Sequence, residues 1–193
     1  PRHYGENPLV SPDYAKIITE RHYERLNALS DGKNPANGTL VCGKERDANL
    51  RKIAPVILDS PQADSPVMSE EIFGPIMPVL EFTDLGKARD FVIERPRPLA
   101  LYFFSSSKKN IDFIVKRISY GGGCINDTII HLATSKMPFG GVGNSGMGRY
   151  HGKYSFDTFS HLKSVLTRGI RPDVSVRYPP YGEKLGLLKK LLK

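Results

Sequence analysis

Apolar and polar positions along this chain follow two rhythms. The first is helical. Ser11-Pro12-Asp13 offers a capping hydroxyl, a proline for a first turn and an acid near the positive end of a helix dipole. Tyr14, Ile17, Ile18, Leu26 and Leu29 then fall largely on one face, with Gly32 as the stop. Lys33–Gly38 is polar and rich in turn residues. Thr39–Cys42 and Ile53–Leu58 read as short strands on either side of a charged loop, Gly43–Arg51. From residue 76 the second rhythm takes over. Ile76–Phe82 reads as a buried strand. Asp84 caps a helix that runs to about Arg95, with Leu85, Ala88, Phe91 and Val92 on one face. Leu99–Phe104 is an apolar strand. Ser107 caps a second helix, in which Ile111, Ile114, Val115 and Ile118 repeat at three and four. Gly121–Gly123 end that helix, and Cys124–Asn126 begin another strand. Strand–helix–strand–helix–strand with short connections predicts an α/β fold built on a parallel sheet. Ligands of such sheets sit beyond the carboxyl ends of the strands, which draws attention to Asn126–Gly152.

That segment ends in Lys136–Gly152, KMPFGGVGNSGMGRYHG, a stretch too rich in glycine for a helix or strand. A flexible linker would pair its glycines with small polar residues. Here they stand among Met137, Phe139, Val142, Met147 and Tyr150, which predicts an ordered, tightly turning loop whose bare backbone approaches another surface. Gly141-x-Gly143-x-x-Gly146 also spells a dinucleotide fingerprint. The match is rejected, because Lys136-Met137-Pro138 is no strand, Tyr150–Lys153 has no helical period, and Leu166 stands near the expected acid.

Composition changes this picture only slightly. The chain has 193 residues, 39% hydrophobic and 25% charged, as in ordinary globular proteins. No apolar run approaches the roughly 20 residues that span a bilayer. The first ten residues carry no signal-peptide core. Cys42 and Cys124 flank no spaced pattern and read as reduced thiols of a cytoplasmic protein. Each is expected to pack as a small hydrophobe rather than react. The net charge is +8, and residues 151–193 hold nine Lys/Arg against three acids. No zinc-finger, helix-turn-helix or RNA-binding pattern accompanies that charge, so nucleic acid is not the expected partner.

One further segment stands out, Glu70-Glu71-Ile72-Phe73-Gly74-Pro75. It reads equally as an exposed acid, an apolar anchor and a turn, or as a ligand site. In the second reading a carboxylate accepts two hydrogen bonds from a vicinal diol such as a ribose, and a flat ring faces a heterocycle.

Taken with Pro138-Phe-Gly-Gly-x-Gly-x-Ser-Gly-x-Gly148, this segment resembles the aldehyde dehydrogenase superfamily, in particular its class 3 branch of fatty and aromatic aldehyde dehydrogenases. Pro98-Leu-Ala-Leu-Tyr102, Gly121-Gly-Gly, Asn126-Asp127 with His131, the run Tyr150–His161 and Arg177-Tyr-Pro-Pro180 fit as well. So do Ser11-Pro-Asp-Tyr14 and Arg21-His22. The resemblance covers essentially the whole chain. It implies a Rossmann-like parallel sheet flanked by helices, the later half of the catalytic domain, over residues 1–160. Residues 161–193 would hold a subunit-pairing strand and a basic tail. It also implies oxidation of aldehydes to carboxylic acids with NAD or NADP, in a homodimer. In the family a cysteine thiolate attacks the aldehyde, hydride leaves to the nicotinamide, and a glutamate activates the water that releases the acid. The Gly-Gln-Thr-type and Glu-Leu-Gly-Gly runs that carry this cysteine and glutamate do not occur in these 193 residues. The chain is therefore expected to correspond to the C-terminal portion of such an enzyme, to hold no catalytic residue and to be inactive alone. The alternative is a non-enzymatic interaction module that retains the fold.

By the same resemblance, Glu71 would hold the nicotinamide-ribose hydroxyls and Phe73 would pack near the nicotinamide. Leu132, Ala133, Phe139 and His151 would line the aldehyde pocket. From the residues alone, Leu132 and Phe139 read as well as core, His151 as a histidine bonded to a loop carbonyl, and Asn126 and Asp127 as turn formers. Lys163–Thr167 resembles the stretch used in pairing subunits. Gly182–Lys193 is amphipathic, with Leu185, Leu188, Leu191 and Leu192 opposite its lysines. It suits docking on protein, covering an aldehyde entrance, or peripheral contact with an anionic membrane. Its shortness favours protein docking.

Overall fold

The computed structural model describes residues 3–171, 173 and 177–191. In chain order its strands are β1 (Thr39–Cys42), β2 (Arg46–Asp47), β3 (Lys52–Ile53), β4 (Val56–Asp59), β5 (Ile76–Val79), β6 (Ala100–Phe103) and β7 (Gly122–Ile125). Its helices are α1 (Glu20–Ser30), α2 (Pro66–Ser69), α3 (Leu85–Ile93), α4 (Lys108–Arg117), α5 (Lys153–Thr158) and α6 (Leu185–Leu191). The chain divides into two compact units. One comprises Pro1–Pro96 with Ser107–Ile118, the other Arg97–Ser106 with Ser119–Lys193.

The first unit is built on a three-stranded sheet of order β1-β4-β5. β4 runs antiparallel to β1 and parallel to β5, with Val56 opposite Ile76 and Asp59 opposite Val79. Val56 and Leu58 point into the core, and Ile57 and Asp59, which alternate with them, are half-buried. α1 lays Tyr23, Leu26 and Leu29 on this core, which Ile53, Val67 and Ile76 complete. Tyr23, Leu26 and Leu29 follow one another at three residues, so they share one face of the helix.

Several boundaries differ from the sequence reading, each for a visible reason. The first helix begins at Glu20, where Thr19 Oγ1 accepts a hydrogen bond from the His22 amide, and not at Ser11. Upstream, the Ile17 amide donates to Arg51 O, and Arg51 Nε donates to Ile17 O. Both main-chain groups of Ile17 are thus taken before a helix can use them. Tyr14 instead turns its hydroxyl onto Ile53 O at 2.6 Å. The expected strand Ile53–Leu58 is two strands, because Pro55 has no amide to continue a ladder. Its first part pairs with β2 as a hairpin, so the charged loop is partly strand. β5 stops at Val79, and Phe82 turns to meet the Phe91 ring edge-on at 5.5 Å. Cys42 is exposed, not packed, because β1 bulges between Leu40 and Cys42. α3 and α4 begin where expected, with Asp84 Oδ1 accepting from the Lys87 amide and Ser107 Oγ from the Asn110 amide.

Burial, with Tyr4 alongside, pushes the Tyr14 hydroxyl up from its ordinary 10.0 to about 12. The folded state therefore holds this proton more tightly than the unfolded chain. The stabilisation is complete below pH 10 and is lost as pH rises through 12. A Tyr14→Phe variant should be about 1 kcal/mol less stable at neutral pH. In urea melts at rising pH, the gap between the two proteins should close above pH 10. A gap that stayed constant to pH 12 would contradict this assignment.

In the second unit β6 and β7 pair in parallel, with Ala100 opposite Gly122 and Phe103 opposite Ile125. β7 thus contains two of the glycines assigned to a helix stop. α4, which ends at Arg117, closes on Ile118 instead. Asn126, with φ +58°, fixes the end of the pair. Its Oδ1 accepts from the Ser105 amide at 2.7 Å, and its Nδ2 donates to Ser105 O at 3.0 Å. The glycine loop is ordered, and its bare backbone approaches both Gly121, just before β7, and itself. Phe139 and Tyr150 exchange two main-chain hydrogen bonds, at 3.0 and 2.9 Å. A Cβ on Gly140 would lie 2.3 Å from Gly148 O, and one on Gly141 would lie 2.2 Å from Ser145 O. Residues Gly143–Ser145 form a 3-10 turn, so the fingerprint match lies at no strand–helix junction. α5 does begin directly after Gly152, against the expectation that no helix follows.

Among the described residues Lys163–Thr167 forms no strand and pairs with neither β6 nor β7. Its Val165 and Leu166 are exposed, as are Leu162 and Ile170. In the tail, α6 covers Leu185–Leu191, with Leu185 exposed and Leu188 half-buried. Leu192 and Lys193 lie outside the described residues. Among the described residues no helix is long and apolar enough to cross a membrane.

Candidate functional site

Residues 70–75 lie in the first unit, on the helix they face. His22, Arg25 and Leu26 stand three and four apart on α1. Arg25 Nη1 donates to Glu70 Oε1 at 2.6 Å, and its Nη2 donates to Ile72 O. Arg25 Nε donates to His22 Nδ1 at 3.4 Å. The ring proton of His22 therefore sits on Nε2, which donates to Phe73 O at 2.8 Å. Gly74 packs directly on Leu26, and a Cβ there would lie 2.5 Å from a Leu26 methyl. Beyond it, Val56 N donates to Pro75 O and the chain enters β5. Every residue from 70 to 75 except Glu71 is thus held by α1 or the sheet, or packs against the core.

Glu71 is exposed and, among the described residues, has no hydrogen-bond or ion-pair partner. Phe73 is 75% exposed and takes φ +51°, a conformation rare for a bulky side chain. Its ring meets the His22 ring edge-on, at 6.4 Å. Beside it lies an open groove of about 400 Å³, lined by Tyr14, Ile18, His22 and Gly74 among others. The segment therefore displays a free carboxylate and an open aromatic face from one rigid backbone. Such a pair fits a ribose diol and a flat heterocycle. These residues stand at the amino end of β5, where the carboxyl-end rule would not have placed them.

The other candidates lie in the second unit. Leu132 and Ala133, both exposed, belong to the 3-10 turn Ile130–Leu132 and its cap. Phe139 and His151 stack at 6.1 Å, and Tyr150 meets Phe139 edge-on. His151 Nδ1 lies 3.3 Å from Met137 O, the loop-carbonyl contact read from sequence. Behind them His131 is buried between Tyr102 and Phe139, with Nδ1 3.5 Å from Cys124 Sγ. Cys124 is half-buried. Among the described residues no cluster of His, Cys, Asp or Glu could hold a metal. The contributions of His22 and Arg25 were missed in the sequence. His22 appeared there only within the matching pair Arg21-His22, with no task assigned to it, and Arg25 only as a polar residue at helical spacing among apolar positions.

Residues 5–165 match the profile of the "Aldehyde dehydrogenase family". The chain belongs to the aldehyde dehydrogenase family. It is 47% identical to the 4,4'-diaponeurosporen-aldehyde dehydrogenase of Staphylococcus aureus, over 98% of this chain and 41% of that protein. It is 48% identical to aldehyde dehydrogenase family 3 member H1 of Arabidopsis thaliana, over 98% of this chain and 39% of that one. The solved substrate-bound state of Staphylococcus aureus AldH superposes with a TM-score of 0.85 at 46% identity, covering all of this chain and 41% of that one. The chain thus spans about two fifths of the length of these aldehyde dehydrogenases. The family is NAD(P)-dependent, and its fold is the α/β, Rossmann-like one described above.

Proposed function

We propose that this chain serves in the NAD(P)-linked oxidation of aldehydes to carboxylic acids, and that Glu71 and Phe73 form its contact with the nicotinamide end of the cofactor. The observation that carries this reading is the free Glu71 carboxylate displayed beside the open Phe73 ring. When bound, the cofactor supplies the hydride acceptor. Glu71 accepts hydrogen bonds from two adjacent ribose hydroxyls, and Phe73 limits where the ring can swing. Leu132, Ala133, Phe139 and His151 form part of the aldehyde pocket. The apolar lining suits medium-to-long or aromatic aldehydes, in keeping with the relative named for 4,4'-diaponeurosporen-aldehyde. No residue of this stretch acts as nucleophile or general base, and by itself the stretch does not turn over. The protein acts in the cytoplasm as a homodimer. The exposed apolar residues around 163–167 support this, since a second copy would cover them, and the tail from residue 182 docks on protein.

Steady-state kinetics of Glu71→Gln in the protein as its gene encodes it test the central part of this reading. The KM for the dinucleotide should rise about tenfold, the size expected for one charge-assisted contact. The KM for aldehyde should change less than twofold. An unchanged dinucleotide KM would overturn the assignment of Glu71.

A further inference from the structure

The hydrogen bonds around Glu71 distribute in an unusual way. The residue before it and the two after it are each bonded to one face of α1, and Glu71 itself to nothing described. An ion pair as exposed as Arg25–Glu70 contributes little to stability. Arg25, however, also donates to the Ile72 carbonyl and, through Nε, selects the His22 tautomer that donates to the Phe73 carbonyl. Those two carbonyls fix the peptide planes on the carboxyl side of Glu71, and they hold Phe73 at a positive φ it would otherwise leave. The backbone from which the free carboxylate projects is thereby set before any ligand arrives.

We infer that Arg25, acting with His22, is a positioning residue for the dinucleotide site: it holds the backbone of residues 70–73 so that Glu71 meets a ribose diol already aligned. The inference rests on the cofactor role of Glu71 proposed above. It assigns to α1, about 45 residues upstream in sequence, part of the affinity for the cofactor. Ordering a loop beforehand removes that cost from the binding step, so the effect belongs to affinity more than to chemistry.

The test is a double-mutant cycle in the protein as its gene encodes it, with NAD+ and NADP+ as the varied cofactors. Arg25→Gln should raise the dinucleotide KM about tenfold while kcat falls less than threefold. In a Glu71→Gln background, Arg25→Gln should add less than twofold, because the residue it aims is already disabled. Arg25→Lys keeps the charge beside Glu70 and loses the fork to Ile72, and should raise KM about threefold. Should Arg25→Gln not fold, Arg25→Lys carries the same cycle. Effects of Arg25 and Glu71 that multiply would mark Arg25 as merely structural and overturn the inference. So would an Arg25 effect confined to kcat. If Glu71→Gln alone leaves KM unchanged, the cofactor assignment itself falls, and the inference falls with it. If Glu71→Gln raises KM and Arg25→Gln does not, only the positioning role is lost.

Discussion

Alanine at Gly123 is expected to unfold the β6–β7 pair. Gly123 sits opposite Leu101 in the parallel register, and a Cβ on it would lie 1.9 Å from Leu101 O. That oxygen is main chain in the partner strand, so no rotamer change can relieve the clash. Either the ladder separates or the strand shifts register. Ile125 pairs with Phe103 two residues on, and Asn126 bonds Ser105 just beyond the strands, so both would move with it. The loss should be at least about 3 kcal/mol, the upper range for overpacked sites. Gly186 provides the control. It lies in α6 with nothing within 4 Å of its would-be Cβ, and Gly186→Ala should be neutral or slightly stabilising. Urea melts followed by far-UV circular dichroism report both. A Gly123→Ala protein as stable as the parent would mean that the parallel pairing is wrong.

The second large effect joins fold and site. A methyl group on Gly74 would reach 2.5 and 2.6 Å from the two δ carbons of Leu26, which is fully buried and cannot swing out. Gly74→Ala should cost about 1–3 kcal/mol. Leu26→Ala empties the same space and should cost about 2–5 kcal/mol. The double variant should be more stable than the sum of the two losses implies, by at least about 1 kcal/mol, because the new methyl enters the space that Leu26 vacates. Strictly additive losses would show that Gly74 does not pack on α1.

These two sites also show how much the sequence disclosed. Alternation of strand and helix from residue 76 onward was legible, because Asp84 and Ser107 announce helix starts and each apolar run matches one period. Asn126 was legible as a turn former. The start of the first helix was not. Ser11-Pro12-Asp13 has all the local marks of a cap, but the competing partner for Ile17 is Arg51, 34 residues away. Local propensity cannot register that contact. Gly122 and Gly123 read as a helix stop because glycine is a poor strand residue. Their reason lies in a neighbouring strand's carbonyl, visible only once the strands are paired. Lys163–Thr167 shows the converse case, in which a strand-like pattern pairs with neither β6 nor β7 and forms no strand among the described residues. At the candidate site, Glu71 and Phe73 stood out through the resemblance of their motif. The residues that hold them, His22 and Arg25, lie 45 to 51 positions from their partners and carry no mark of that task.

A crystal structure with bound NAD+ or NADP+, of the protein as its gene encodes it, decides whether Glu71 and Phe73 hold the cofactor. Both hydroxyls of the nicotinamide ribose should lie within hydrogen-bonding distance of the Glu71 carboxylate, with the nicotinamide beside Phe73 and the backbone of residues 70–73 unmoved. A ribose bound elsewhere, with Glu71 still facing solvent, would contradict that role.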